Sequence, residues 1–216
     1  MRLTTGLMRV VARQIRRPSG WLGRMWGRGM ARGHRPQTEW ALKLLDIQPT
    51  DHVLDVGCGT GMATRIASEI AVEGFVAAVD HSPEMVQEAR RRNTAAIRNG
   101  RVQVQHGDVV SLPFEEATFD KIIGIETFYF WPDPIAALRE LCRVAKPGGV
   151  IALEMENSLE APDSQAVARR AERMGFPVFS GAEMVRMLRE AGFCLARFES
   201  RPNRGGGWLC ALASKP

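Results

Sequence analysis

The sequence has little cysteine chemistry and no long apolar segment. Its four cysteines, Cys58, Cys142, Cys194 and Cys210, form no C-x-x-C pair and show no metal-ligand spacing. No stretch of the sequence approaches the roughly 20 apolar residues of a membrane span. We therefore expect no disulfide framework, no metal centre and no spanning helix, and a reducing, cytoplasmic compartment fits this composition.

Acidic residues are absent from the first 38 positions. Residues 1–38 hold nine arginines, which leaves 20 of the 29 basic residues, against all 24 acidic ones, for the remainder. The net charge of +5 therefore comes from this N-terminal segment and not from the rest of the chain. This distribution argues against a broad nucleic-acid-binding face on the body.

The leader itself, residues 1–35, has three open interpretations. The spacing of apolar residues and arginines over 1–17 suits an amphipathic helix, which Pro18-Ser19-Gly20 would end. Such a segment can lie on an anionic membrane surface. It can also be an Arg-rich, acid-poor transit segment, or a helical lid that packs its apolar stripe on the body.

A glycine loop follows the first predicted strand of the body. Val53 to Val56 form a short apolar run that predicts a buried strand, and a helix is predicted from Met62 to Ala71. Between them, Gly57, Gly59 and Gly61 permit backbone angles that a Cβ would disfavour. The loop can therefore let a ligand lie against the main chain.

The residues around this loop indicate which class of ligand it binds. Met62 stands where the dinucleotide pattern would need a third glycine. The next predicted strand, Phe75 to Val79, ends in Asp80, where a doubly wound sheet grips ribose hydroxyls. The loop thus predicts a nucleoside without a pyrophosphate, and at these residues the chain resembles the class I S-adenosylmethionine-dependent methyltransferases.

A second pair of motifs narrows the resemblance. Trp131-Pro132-Asp133-Pro134 together with Arg143-Val144-Ala145-Lys146-Pro147-Gly148-Gly149 is similar to the ubiquinone/menaquinone C-methyltransferase type of small-molecule methyltransferase. The chain lacks the Asn/Asp-Pro-Pro-Tyr/Phe element of enzymes that methylate exocyclic amines of nucleic acids. The resemblance therefore favours a small-molecule acceptor.

The resemblance covers about residues 36–214 and implies a fold. We expect an α/β, Rossmann-like, doubly wound sheet of seven strands, mostly parallel with an antiparallel C-terminal hairpin. The expected domains are the leader or lid at 1–35 and an S-adenosylmethionine-binding methyltransferase domain at 36–216. Residues 156–178 are expected to form a small cap insertion that covers the acceptor.

The resemblance also implies S-adenosylmethionine as cofactor, without a metal. The glycine loop would cradle its methionyl end, Asp80 its ribose hydroxyls, and Asp108 with the backbone of Val109 its adenine. The cofactor-binding residues that we expect are Asp55, Gly57, Cys58, Gly59, Asp80, His81, Met85, Asp108, Val109 and Ile125.

Two residues that follow the fourth predicted strand, Phe119 to Ile125, are candidates for chemistry. Glu126 is expected near the methyl acceptor, as a base or as a polar contact to the donor amino group, and Tyr129 is second. A carboxylate base would need a pKa raised by burial. The alternative is purely structural, with Glu126 capping a loop and Tyr129 packed in the core.

Three functions remain open from the sequence. The leading hypothesis is methyl transfer to a small molecule such as a lipid, quinone or secondary metabolite. A cofactor-binding regulatory or assembly protein without transfer activity is the alternative, because no acceptor-side base is unmistakable. An RNA methyltransferase is third, suggested only by the charge of the leader.

Overall fold

The computed structural model describes residues 33–203 and 206–216. Most of the predicted leader, residues 1–32, lies outside the described residues. The elements in chain order are α1 (Arg35–Leu45), β1 (His52–Val56), α2 (Met62–Ile70), β2 (Phe75–Asp80), α3 (Pro83–Arg92), α4 (Thr94–Arg98), β3 (Val102–His106), β4 (Phe119–Ile125), a 3-10 turn (Phe128–Phe130), α5 (Pro134–Val144), β5 (Ala145–Met155), α6 (Ser164–Met174), α7 (Gly181–Glu190), β6 (Cys194–Asn203) and β7 (Gly206–Ser214).

The strands form one seven-stranded sheet in the order β3-β2-β1-β4-β5-β7-β6. Neighbouring strands from β3 to β5 pair in parallel, whereas β7 pairs antiparallel with both β5 and β6. The predicted fold class, including the antiparallel C-terminal hairpin, is confirmed. The strand order reverses between β1 and β4, which is where open α/β sheets bind ligands.

Alternate residues of the central strands pack into two cores, one on each face of the sheet. Leu54 faces the core formed with α5 and α7, through side chains such as Leu138 and Leu188. Its neighbour Val53 faces the opposite core, formed with α1, α2 and α3 through side chains such as Trp40. Successive strand residues point to opposite faces, so the apolar run predicted at β1 is buried on both sides.

The caps of two helices agree with the sequence pattern. Ser82 begins α3 by accepting a hydrogen bond from the Met85 amide, and Asp133 begins α5 by accepting one from the Ala136 amide. Each is followed by a proline in the first turn, where the missing amide proton costs nothing. These caps fix where the chain turns back after β2 and β4, next to the sheet edge that carries the site.

Candidate active site

A cleft of about 1030 Å³ opens at the carboxyl ends of the parallel strands. It is lined by residues that follow β1, β2, β3 and β4, together with parts of α1 and of the segment after α6. All twelve residues singled out from the sequence line it: Asp55, Gly57, Cys58, Gly59, Asp80, His81, Met85, Asp108, Val109, Ile125, Glu126 and Tyr129. The fold therefore brings them to one cavity.

The turn after β1 is fastened to the end of β2. The amides of Gly57 and Cys58 both donate to the Val79 carbonyl, at 2.8 and 3.0 Å. Gly57 has φ +69°, and a Cβ there would lie 2.2 Å from Thr127 Oγ1. Two constraints therefore favour glycine at position 57: its left-handed backbone angle, and the turn after β4, which leaves no space for a Cβ.

Open space in front of Gly59 fits a ligand that lies against the backbone. Gly59 has φ +51°, and a Cβ built on it would meet no atom within 4 Å. The lining of the cleft at this point is therefore main chain. Exposed main chain beside open space is compatible with the methionyl end of S-adenosylmethionine, so the residues present fit the predicted donor.

Asp80 is a buried carboxylate at the tip of β2. Its Oδ2 accepts from the Gly59 amide and its Oδ1 from the Ser82 amide, each at 2.8 Å. Burial raises the pKa of Asp80, although these two amide hydrogen bonds act in the opposite direction. Each oxygen keeps a second lone pair that can accept from a ligand hydroxyl.

Asp55 lies below the glycine turn and is fully buried. The Thr64 hydroxyl donates to its Oδ2 at 2.6 Å, which ties β1 to the first turn of α2. Burial raises the pKa of Asp55 to about 7, against the hydrogen bond from Thr64. A group that titrates near neutrality therefore lies at the floor of the cleft.

The residues that follow β3 also line the cleft. Asp108 is exposed and its Oδ1 accepts from the Val110 amide at 3.2 Å, while Val109 is buried. Met85 is buried on α3, and the His81 ring is about half exposed. An apolar side chain flanked by an exposed carboxylate suits an adenine ring and its amino group.

Glu126 and Tyr129 form a hydrogen-bonded pair beyond β4. The Tyr129 hydroxyl donates to Glu126 Oε2, and the Glu156 amide donates to Glu126 Oε1. Glu126 itself has φ +55°, and its amide donates to the Glu154 carbonyl at 2.9 Å. Both carboxylate oxygens of Glu126 are therefore held in place by the chain.

Burial governs the titration of this pair as well. It raises the pKa of the Glu126 carboxyl, opposed by His34 and by the two hydrogen bonds. The pKa of Tyr129 rises well above its usual value through burial and through the neighbouring Glu126 carboxylate. A raised carboxyl pKa is what a general base at this position would need.

His34 and Glu156 complete an acidic corner at the β4–β5 end. His34 Nε2 lies 3.9 Å from Glu156 Oε2. One ligand atom each of His34, Glu126 and Glu156 lie within 4.8 Å of one another, so these three side chains have the donor set to hold a cation. No pattern in the sequence pointed to His34, which reaches the cleft from the start of α1.

The run of four aromatic residues after β4 divides between core and cleft. Phe128 is buried and packs edge-on against Trp131 and Phe179, at ring-centroid distances of 5.0 and 5.1 Å. Tyr129 and Phe130 line the cleft with their centroids 4.6 Å apart. Phe128 therefore belongs to the core and does not line the cleft.

Phe176 is a lining residue that sequence reasoning missed. It follows α6, whose end is set by Gly175 at φ +74°, and its ring stacks on Tyr129 at 5.3 Å. Four residues of the segment 156–178 line the cleft: Met174, Gly175, Phe176 and Pro177. The glycine and proline that flank Phe176 were the available signal for a turn there.

Comparisons with known proteins agree with this geometry. A family model described as a methyltransferase domain matches residues 54–153. The O-methyltransferase cnsE of Penicillium expansum is 33% identical over 162 residues, 74% of this chain and 58% of that protein. The demethylmenaquinone methyltransferase of Listeria monocytogenes serotype 4a is 31% identical over 185 residues, 74% of this chain and 76% of that one.

A solved structure gives the same result. The SAM-dependent methyltransferase from Aquifex aeolicus superimposes with a TM-score of 0.67 at 27% identity, covering 83% of this chain and 89% of that chain. Among the sequence relatives, the aligned region covers 56 to 58% of the length of the fungal O-methyltransferases, which is less than two thirds.

A doubly wound sheet with a glycine turn after β1 and a buried acid at the end of β2 is typical of nucleoside-binding α/β proteins. Within this group, the chain belongs to the class I S-adenosylmethionine-dependent methyltransferases. This membership confirms the predicted family and, with it, the predicted cofactor. The roles assigned to the individual lining residues stay predictions.

Proposed function

We propose that the protein transfers a methyl group from S-adenosylmethionine to a small-molecule acceptor such as a lipid, quinone or secondary metabolite. One observation carries the proposal: a single cleft joins the predicted donor residues to Glu126 and Tyr129. A volume of about 1030 Å³ is at the upper end of the range for ligand pockets and leaves room for a second molecule.

The residues have separable tasks in this proposal. The donor supplies an electrophilic methyl group on a positively charged sulfur. Asp80 holds the ribose hydroxyls, the turn at Gly57 and Gly59 holds the methionyl end, and Val109 packs on the adenine. Aromatic rings at Tyr129 and Phe130 exclude water, and Glu126 accepts a proton from acceptors that must lose one.

Transfer of a labelled methyl group tests the proposal. The full chain is incubated with methyl-labelled donor and a panel of phenols, quinols, lipids and amines, and methylated products are identified by mass spectrometry. We expect turnover of at least one acceptor class, and a loss of that turnover in Glu126→Gln at unchanged donor affinity. Donor binding without any turnover would instead favour the non-catalytic cofactor-binding alternative.

We propose that the basic leader binds an anionic membrane surface. Eight of its arginines fall within residues 1–32, which lie outside the described residues. Within the described ranges, no helix combines the length and apolarity that a membrane crossing requires. The contact that we propose is peripheral and is made through residues 1–35.

A further inference from the structure

The cleft has a one-sided charge. Among the lining residues that the structure describes there are four carboxylates, two histidines and neither lysine nor arginine. The carboxylates are those of Asp55, Asp80, Asp108 and Glu126. Among the described residues, an anionic ligand group would therefore meet like charges with only His34 and His81 as basic partners, whereas a cationic group would find counter-charges.

The order of the strands separates a donor end of the cleft from an acceptor end. Asp80 ends β2 and Asp108 follows β3, both on one side of the reversal between β1 and β4, and these are predicted donor residues. Glu126 follows β4 on the other side, and Glu156 follows its neighbour β5. The second end is thus left for the acceptor.

Aromatic rings enclose this acceptor end. Tyr129 stacks on Phe176 at 5.3 Å with an interplanar angle of 28°. Phe130 packs edge-on against both rings, at 4.6 and 6.2 Å. Because the Tyr129 hydroxyl is hydrogen-bonded to Glu126, the aromatic wall and the carboxylate are held at adjoining positions.

We infer that the acceptor end is built for a small molecule that carries a protonated amine. Glu126 provides the counter-charge, and Tyr129, Phe130 and Phe176 provide π faces for the cation. A carboxylate beside aromatic rings binds an ammonium group more tightly than a neutral isostere, because each ring face attracts the cation. This inference rests on the proposed function and narrows its acceptor class.

The test uses the full chain loaded with S-adenosylhomocysteine, in buffer with a chelator so that no divalent ion occupies the acidic corner. Calorimetry then compares 2-phenylethylamine, 2-phenylethanol and phenylacetate, which share a skeleton and differ in charge. We expect the amine to bind about tenfold more tightly than the alcohol, and phenylacetate to bind most weakly.

Variants show which side chains cause the preference for the amine over the alcohol. Glu126→Gln is nearly isosteric and should reduce the amine-to-alcohol ratio to about threefold or less. Phe176→Leu, which removes one ring face, should reduce the ratio without a change of charge. The control is Glu116→Gln, which removes the same charge from an exposed position whose ion pair is with Lys215, and should leave the ratio unchanged.

The outcomes separate this inference from the proposed function. Failure of the wild type to bind S-adenosylhomocysteine would overturn the proposed function. Donor binding with no amine preference, including no amine binding at all, would overturn the amine inference alone. Tighter binding of phenylacetate would also overturn it and would indicate an anionic acceptor.

Discussion

At the scale of single residues, burial sets the titration of the carboxyl groups around the cleft. Asp55 shows this effect most clearly, because burial raises its pKa to about 7 although its Oδ2 accepts a hydrogen bond from Thr64. Desolvation disfavours the charged form more than one hydroxyl can compensate. The folded protein therefore holds a proton on Asp55 at pH values where the unfolded chain has released it.

This difference predicts a pH-dependent stability. As pH rises from about 4 towards 7, the unfolded chain binds fewer protons than the folded protein, so the free energy of unfolding falls. Over that window the contribution of Asp55 amounts to about 4 kcal/mol, and it levels off above the folded pKa. Asp55→Asn should remove this part of the slope.

Urea unfolding of wild type and Asp55→Asn at several pH values checks the prediction. The variant should gain stability relative to wild type as the pH increases. Curves that run parallel from acid to neutral pH would contradict the raised pKa of Asp55. Asparagine keeps an oxygen that can accept from Thr64, so the comparison isolates the charge.

The glycines after β1 permit a prediction at the scale of a turn. Gly59→Ala should cost about 1–2 kcal/mol of stability from its left-handed backbone, and its Cβ would enter the open space where the donor is expected. We therefore expect a folded variant with at least tenfold weaker binding of S-adenosylhomocysteine. Gly57→Ala should be less stable, because its Cβ would also collide with Thr127.

Gly148 supplies the matched control for this turn. It has φ +75°, a Cβ at this position would meet no atom within 4 Å, and the residue lies outside the cleft lining. Gly148→Ala should show the same backbone cost and unchanged donor binding, by thermal unfolding and calorimetry. Equal affinity of wild type and Gly59→Ala would show that no ligand approaches the main chain there.

The element boundaries show which parts of the fold the sequence determines locally. The strands β1, β2 and β4 are predictable because apolar runs are bounded by turn residues, and β3 is predictable because its apolar and polar residues alternate. The apolar run from Val150 to Met155 predicts a fifth strand, but β5 begins earlier, at Ala145, because Ala145 pairs with Phe119 across an irregular register. The short helix α4, Thr94–Arg98, is not predicted by the pattern, because it continues from Asn93 with no buried residue of its own.

The strands of the C-terminal hairpin are longer than the sequence pattern predicts. The pattern indicates a loop from Arg201 to Gly207, but β6 extends to Asn203 and β7 begins at Gly206. Pro202 pairs with Gly207, which the edge position of β6 allows, because an edge strand leaves one side of its backbone unpaired. A sequence pattern cannot show which strand will be at the edge.

At the scale of the whole molecule, the donor side of the site is more predictable than the acceptor side. The donor residues follow successive strands, so the sheet topology alone brings Asp55, Asp80 and Asp108 together. His34 and Phe176 come from the start of α1 and from the end of α6, and their approach to the cleft depends on how those segments pack on the sheet. Local sequence carries little information about such packing.

The leader gives a prediction for the intact chain. If its arginines contact anionic lipid, the full chain should co-sediment with phosphatidylserine vesicles, and this binding should weaken as salt increases. A chain without residues 1–32 should bind S-adenosylhomocysteine as wild type does but should remain in the supernatant. Equal sedimentation of the two chains would contradict the membrane proposal, and weaker donor binding by the shorter chain would favour a lid.

The nucleoside site itself is the central claim, and calorimetric titration of S-adenosylhomocysteine into wild type and Asp80→Ala tests it most directly. Two hydrogen bonds from ribose hydroxyls to a buried carboxylate contribute about 3 kcal/mol or more. We predict one-to-one binding by wild type and at least about a hundredfold weaker binding by a folded Asp80→Ala variant. No binding by wild type, or equal binding by the two proteins, would contradict the account.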